Sequence, residues 1–239
     1  MIDRNLLAAA AAALILSACA TSPDGPAEPE QYEVRHEEER IVYTGKMSAN
    51  AIEEVADLLE QHGDSIEWLD IDSPGGDVML GLDLAELVLE HELNVRAINT
   101  GCHSTCANYV FTAGRKRVIE EGALVTWHGS ALQRRWGFST RLGLIFNSSI
   151  RQSFNEWKLR QKDFFGRIDV DERITIVGQD LECQCTWALS GEDMAQFGLE
   201  NVEVSPDYLA TDIPAIYPNM RFLDLPDDVF ERIRPREYK

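Results

Sequence analysis

The apolar positions of this chain follow two periods, and segments of the two kinds alternate from residue 41 onward. Short runs rich in β-branched and aromatic residues predict strands, and they lie at 41–43, 66–72, 95–98, 117–119, 123–127, 174–177 and 202–204. Longer stretches with apolar residues at helical spacing predict helices, and they lie at 50–61, 78–91, 104–113, 140–164 and 191–197. Strands that alternate with helices pair mostly in parallel, so the pattern predicts an α/β fold.

Residues that cap or stop regular structure mark the ends of these elements. Asn50 is the expected N-cap of the first helix, and Gly63 is its expected stop. Gly101 is expected to end the strand at 95–98. The alternating pattern defines one domain over 41–205, followed by a Pro-rich tail at 206–239 that is predicted to be irregular.

The beginning of the chain has the features of an export signal. Arg4 precedes an apolar run at 6–16 that is too short to span a bilayer as a helix, and small residues follow it, so residues 1–18 are predicted to be a signal peptide. Leu16-Ser17-Ala18-Cys19 resembles a bacterial lipobox, which predicts acyl chains such as palmitate on Cys19. The alternatives are a plain secretory signal and a buried helix.

Residues 19–40 are acidic and nearly free of apolar side chains, and they contain three prolines. Such a composition predicts a disordered spacer between the lipid and the domain. The expected location is therefore the bacterial cell envelope, with the protein tethered to a membrane by lipid and facing the periplasm.

The overall charge narrows the range of partners. The chain has 41 Asp and Glu residues against 22 Lys and Arg residues, for a formal net charge of −19. This balance argues against nucleic acid as a partner and against docking on anionic lipid by charge. No phosphate-binding loop of the GxxxxGK[ST] kind is present. No cofactor is predicted.

Four cysteines remain besides the one in the lipobox, and these are Cys102, Cys106, Cys183 and Cys185. In an oxidising compartment they are expected to form disulfides. Four cysteines allow three pairings, and the spacing does not choose among them. A metal site with four thiolates is the rival, but CxxxC and CxC differ from the usual zinc spacing, so no metal is predicted.

Three segments combine the end of a predicted strand with residue types suited to acyl transfer. Ser73-Pro74-Gly75-Gly76 joins a strand to a helix, and its glycines let backbone N–H groups approach a ligand as in an oxyanion hole. Ser104 and Thr105 stand at a helix start, where the positive helix end favours a nucleophile. His128 ends a strand and precedes Gly129, a position suited to a general base. Taken singly, these features also fit a tight turn, a helix N-cap and a structural histidine.

In their order along the chain, these segments resemble the proteolytic subunit of the Clp protease and its relatives in the Clp/crotonase superfamily. The matching features are Ser-Pro-Gly-Gly, an apolar helix, a strand, a Gly-x-x-Ser/Thr helix start, Ala-Gly and a strand ending in His, and the resemblance covers about 41–204. The helix at 140–164 lies where the family has its handle helix, and 187–199 resembles the family's terminal segment. The resemblance implies a spiral of ββα units and points most closely to an exported, periplasmic branch.

The resemblance implies roles for individual residues. Gly75 and Gly76 correspond to the oxyanion hole, and His128 corresponds to the general base. Counting along the chain puts Thr105 at the family's nucleophile position, whereas Ser104 has the less hindered hydroxyl. Both residues remain candidates, and Ser104 is favoured.

The third triad residue of the family, an Asp, corresponds to Thr186 in this chain. Asp180 is near it in sequence and is the substitute that a loop could supply. In the family fold this segment returns close to the nucleophile helix. The resemblance therefore implies one or two disulfides that link Cys102 or Cys106 to Cys183 or Cys185.

Two functions follow from these expectations. The first is an exported serine hydrolase, a peptidase acting on a peptide or protein substrate. The second is an inactive Clp-like lipoprotein that binds peptides or a partner at the envelope, which the threonines at two triad positions, Thr105 and Thr186, favour. Acyl-CoA chemistry of the crotonase kind is disfavoured by the export signal. Relatives assemble into trimers or rings, which implies a homo-oligomer, and the lipid anchor is the predicted membrane contact.

Overall fold

The computed structural model describes residues 32–134, 136–181, 183, 185–211 and 219–233. In this part the chain is an α/β structure with a mostly parallel sheet, as the alternating pattern predicts. The strands are β1 (Tyr32–Glu37), β2 (Arg40–Gly45), β3 (Trp68–Ser73), β4 (Asn94–His103), β5 (Arg117–Ile119), β6 (Leu124–Thr126), β7 (Thr186–Ala188), β8 (Val202–Val204) and β9 (Met220–Phe222). The helices are α1 (Ala49–His62), α2 (Val78–Glu90), α3 (Phe138–Phe146), α4 (Ser148–Arg167), α5 (Val177–Asp180), α6 (Gly191–Gln196) and α7 (Val229–Arg232), with a π-helix at Cys106–Phe111 and 3₁₀ turns at Gly63–Ser65, Glu172–Thr175 and Tyr208–Ala210.

The main sheet has the strand order β1-β2-β3-β4-β5-β8, and β6 also pairs with β4. Only the β1–β2 pair is antiparallel among these described pairings. The central strands β3 and β4 bury apolar side chains completely, among them Leu69, Ile71, Val95 and Ala97. Because β3, β4 and β6 are mutually parallel, their carboxyl ends lie at one edge of the sheet, where a site can form.

Both ends of the predicted domain extend further than the sequence pattern indicated. Tyr32–Glu37, which falls in the predicted disordered spacer, instead forms β1 and pairs with β2. In the tail predicted to be irregular, β9 pairs with β7 and a short helix follows at Val229–Arg232. Polar residues alternate along β1, so its composition resembles that of a spacer although it forms a sheet edge.

The helix predicted at 140–164 is two helices. Asn147 has an extended backbone between α3 and α4, and its side chain accepts hydrogen bonds from the N–H groups of Ser149 and Ile150. Asparagine is a good N-cap, so it begins a new helix here even though the apolar spacing continues across it.

The strand predicted at 174–177 is wrong. Glu172–Thr175 is a 3₁₀ turn that Asp171 caps, and α5 follows directly. The Thr175 hydroxyl donates to Glu172 O at 2.7 Å and lies 2.8 Å from Ser130 Oγ, from which it can accept. Burial of this β-branched run produced the strand-like pattern, and local capping overrode its strand propensity.

Two of the boundary predictions require correction, and one is confirmed. Ser48, rather than Asn50, caps α1 and accepts from Ala51 N–H at 3.3 Å. The helix stops before Gly63 as predicted, and Gly63, with right-handed backbone angles, enters a 3₁₀ turn. Gly101 does not end β4, which continues through it to His103. Glycine is needed at this position because its φ is +113° and because a side chain there would overlap the main chain of Leu124 on β6.

Candidate functional site

The Ser73-Pro74-Gly75-Gly76 turn leaves the carboxyl end of β3 and leads into α2. Gly75 and Gly76 have φ values of +87° and +154°, which glycine adopts at no steric cost. A Cβ at Gly75 would lie 2.6 Å from His103 O and 3.0 Å from Ser104 Cβ. Glycine is therefore required at position 75 so that this turn can lie directly against Ser104.

The main-chain groups of Gly75 and Gly76 differ in their hydrogen bonds. The Gly75 N–H donates to Ser73 Oγ at 3.1 Å, and Gly75 O accepts from the Met47 N–H at 3.0 Å. Because a trans peptide is planar, the Gly76 N–H points away from Met47. Of the two predicted oxyanion donors, the Gly76 N–H is the one with no hydrogen bond to any described residue.

The candidate nucleophile lies at a sharp turn between β4 and the Cys106–Phe111 helix. Ser104 has a φ of +58°, a left-handed conformation that is unfavourable for a residue with a Cβ. Its N–H donates to Thr126 O at 2.8 Å, and its carbonyl accepts from the Asn108 N–H at 2.9 Å. A serine on a strained turn from strand to helix is the geometry in which serine hydrolases expose their nucleophile.

His128 follows β6 and faces Ser104. Trp127 exchanges two main-chain hydrogen bonds of 2.8 Å with Trp187, which fixes the end of β6. The distance between Ser104 Oγ and His128 Nε2 is 2.6 Å. The structure therefore brings together two residues that lie 24 positions apart in the sequence, and it does so within hydrogen-bond distance.

Thr105, the other candidate nucleophile, points elsewhere. Its side chain is 2 % exposed, and its hydroxyl donates to Gly76 O at 3.1 Å. Its methyl group lies against Gly81 of α2. Thr105 thus joins the glycine turn to the helix start, and its N–H, just beyond Ser104, occupies the first turn of that helix.

The protonation of His128 is set by its surroundings. The residue is exposed toward the cavity, yet enough protein surrounds the ring that burial lowers the pKa of its imidazole, while a hydrogen bond to its own main-chain carbonyl opposes part of the shift. Because the ordinary pKa of 6.5 already lies below 7, a lowered pKa leaves the ring mainly neutral at pH 7, with Nε2 facing the Ser104 hydroxyl.

A residue that the sequence pattern did not single out supports this arrangement. Gln179 of α5 donates from Nε2 to His128 O at 2.6 Å. Gly129 leaves room for it, because a Cβ there would lie 2.5 Å from Gln179 Nε2. The sequence predicted a strand at 174–177 and no helix after it, so nothing indicated that Gln179 would reach His128. The glycine that follows His128 was the feature that could have pointed to a close neighbour there.

The position of the missing acid is part of the same site. Thr186 lines a cavity of about 580 Å³ together with His128, Trp136, Gln179 and Cys183. Within the described ranges, no carboxylate contributes to the pKa shift of His128, including that of Asp180. The only influence that raises the pKa of His128 is therefore a main-chain hydrogen bond, where a full triad has a buried carboxylate.

The cysteines pair locally. Cys102 and Cys106 lie at disulfide distance with their Cα atoms 5.3 Å apart, and Cys183 and Cys185 do so with Cα atoms 5.1 Å apart. The predicted disulfide between the two segments is therefore wrong. The turn at Ser104 brings Cys102 against Cys106, so these two cysteines pair within their own segment. Cys183 and Cys185 likewise pair within theirs.

The predicted lipidation site, Cys19, and the signal peptide lie outside the described residues. Among the residues that are described, no helix is long and apolar enough to cross a membrane. Those residues also contain no cluster of side chains that could hold a metal ion. A scan against protein-family models finds no match for the chain, and a search of curated proteins finds no significant relative.

Proposed function

We propose that this protein is an exported serine hydrolase that cleaves acyl bonds in peptide substrates. The observation that carries the proposal is the 2.6 Å distance between Ser104 Oγ and His128 Nε2, at a serine with left-handed backbone geometry. A nucleophile and base in hydrogen-bond contact on separate strand ends are the minimum that covalent acyl transfer requires.

The chemistry follows from the positions of the described atoms. Ser104 Oγ attacks the scissile carbonyl while His128 Nε2 accepts its proton. We take the N–H groups of Gly76 and Thr105 as the donors that stabilise the oxyanion. His128 then gives the proton to the leaving amine, and water hydrolyses the acyl-enzyme by the reverse sequence of proton transfers.

We further propose that the chain belongs to the Clp/crotonase superfamily and adopts its spiral of ββα units. The support is that the glycine turn, Ser104 and His128 all follow strands of one parallel sheet and meet at one edge. The export signal and the lipobox at Cys19 support a location at the envelope. Exposed apolar residues of α3, among them Ile145 and Phe146, support self-association.

Labelling with a fluorophosphonate probe tests the hydrolase proposal. The probe should modify Ser104, and peptide mapping by mass spectrometry should locate the adduct there. Ser104→Ala should abolish labelling and His128→Ala should slow it by about 100-fold or more, the usual contribution of a general base. If the folded protein is not labelled while a control hydrolase is, the proposal fails.

A second function is favoured by the lack of a charged partner for His128 among the described residues. Since no carboxylate in that part of the chain acts on its pKa, the imidazolium is weakly stabilised, and the same fold could serve as a peptide-binding module of the envelope. Cells that carry Ser104→Ala together with His128→Ala decide between the two functions. Full retention of the cellular function supports binding, and its loss in a folded, normally abundant variant supports hydrolysis.

A further inference from the structure

The five residues from Cys102 to Cys106 contain the candidate nucleophile and form a covalent ring. The two cysteines lie at disulfide distance, and both side chains are fully buried. Ser104 is at the centre of this ring, two residues from either cysteine. The disulfide therefore spans the same turn that presents the serine to His128.

The ring joins the two structural elements that meet at the site. Cys102 of β4 pairs in register with Ser73, the first residue of the glycine turn, and with Val125 of β6. Cys106 is the first residue of the π-helix on the other side of Ser104. The disulfide thus fixes the separation between the strand end, which carries the neighbouring turn, and the start of the helix.

The conformation at the centre of the ring needs such a restraint. A non-glycine residue keeps a φ of +58° only where contacts with the surrounding structure outweigh its preference for a negative φ. The hydrogen bonds at the Ser104 N–H and carbonyl hold the two neighbouring peptide groups. The disulfide is the covalent restraint across the residue itself.

We infer that the Cys102–Cys106 disulfide is the positioning element of the nucleophile, so that Ser104 reaches its reactive geometry only after these two cysteines are oxidised. This inference rests on the proposed hydrolase function. It implies that the site is incomplete in a reducing compartment and is completed after export to an oxidising one.

The two cysteines are buried in the folded protein, so the oxidation proceeds in a state of the chain in which they are accessible, by exchange with a disulfide of another protein or of a small molecule. The thiolate of one cysteine attacks that disulfide, forms a mixed disulfide and releases one thiolate of the oxidant. The thiolate of the second cysteine then attacks the protein sulfur of the mixed disulfide and releases the other. Cys102 and Cys106 together lose two electrons and two protons, and the oxidant becomes two thiols.

The test compares the double variant Cys102→Ala/Cys106→Ala with wild type and with Val55→Ala. Val55 is fully buried in α1, which carries no residue of the site, so this variant controls for a general loss of stability. We expect the double variant to lower the maximal rate of fluorophosphonate labelling about tenfold or more, as a strained residue relaxes, with the half-saturating probe concentration unchanged. Val55→Ala should label like wild type.

Reduction and reoxidation of the wild-type protein provide the second arm, which does not depend on the variant folding. Protein refolded with its thiols reduced should label slowly, and reoxidation should restore the rate. In both arms the ¹⁵N resonances of the His128 imidazole, observed by NMR, report its contact with Ser104 without any turnover. Loss of the disulfide should shift these resonances.

The two readouts separate failure of this inference from failure of the proposed function. If wild type is not labelled but its His128 resonances shift when the disulfide is lost, the hydrolase function fails and the positioning role stands. If labelling and His128 resonances are both the same with and without the disulfide, the inference is overturned.

Discussion

Replacing Thr105 by valine distinguishes the two candidate nucleophiles and measures the contribution of one hydroxyl. The Thr105 side chain is buried, so valine fills its space, but Gly76 O loses the donor that lies at 3.1 Å. A protein hydrogen bond contributes about 1 kcal/mol net, and water can still reach the half-buried Gly76 carbonyl. We expect the free energy of unfolding to fall by about 1 kcal/mol.

Thr105→Ser is the matched partner of this variant. It keeps the hydroxyl and removes the methyl group that packs against Gly81, which costs about 1 kcal/mol as well. The two variants should therefore be similarly stable while differing in the hydroxyl. Urea unfolding followed by tryptophan fluorescence measures the stabilities, and fluorophosphonate labelling measures the reactivity of each variant.

Because His128 contacts Ser104 and not Thr105, both variants should be labelled, and the adduct should map to Ser104. Thr105→Val should be slower than wild type by less than about tenfold, since the glycine turn loses only one of its restraints. An adduct on residue 105 would contradict the assignment. So would a Thr105→Val protein that is folded by its urea curve and yet unreactive.

Three further outcomes follow from burial and packing. His103 is buried with both ring nitrogens hydrogen bonded, and burial lowers its pKa to about 4. The free energy of unfolding should therefore be at its full value above about pH 6.5 and fall by about 3 kcal/mol as the pH drops toward 4. Urea titrations should show a smaller fall for His103→Gln, and an equal fall in both proteins would contradict this. Gly81→Ala should destabilise the protein by about 1–3 kcal/mol because its Cβ would overlap Thr105. Gly166→Ala, in open space within α4, should instead stabilise the protein by about 0.5–1 kcal/mol. Equal effects of the two substitutions in thermal unfolding would contradict this packing. Because burial lowers the pKa of His128, labelling should rise with pH and level off, with a midpoint below about 6.5, and a higher midpoint would argue against the neutral base.

The order of motifs along the chain was sufficient to predict the α/β class and to select the residues that meet. The ends of parallel strands share one edge, so a glycine turn, a serine and a histidine that each follow a strand are expected to be neighbours. The choice between Ser104 and Thr105 needed more, because one step on a helix rotates a side chain by about 100°. The choice depends on the positive φ at Ser104, which the amino-acid types around this position do not predict.

The errors share a physical cause, which is that local composition does not reveal what a segment will contact. The run at 174–177 is buried and β-branched, but the Asp171 cap and the hydroxyl bonds of Thr175 make it helical. The polar β1 pairs with β2, and its Tyr32 and Val34 pack against the core. The cysteine pairing likewise depended on a turn at Ser104 that the sequence did not show.

The surroundings of His128 determine how well the proposed hydrolase site can work. Among the described residues no carboxylate acts on its pKa, and burial is opposed only by a hydrogen bond to its own main-chain carbonyl, which also accepts from Gln179. A carbonyl carries no full charge, so it stabilises the imidazolium less than a carboxylate does. The proton transfer from Ser104 is correctly aligned but less favourable. We therefore expect the activated fluorophosphonate to label Ser104 and the turnover of an unactivated peptide to be slow, because both acylation and deacylation of a peptide require the imidazolium.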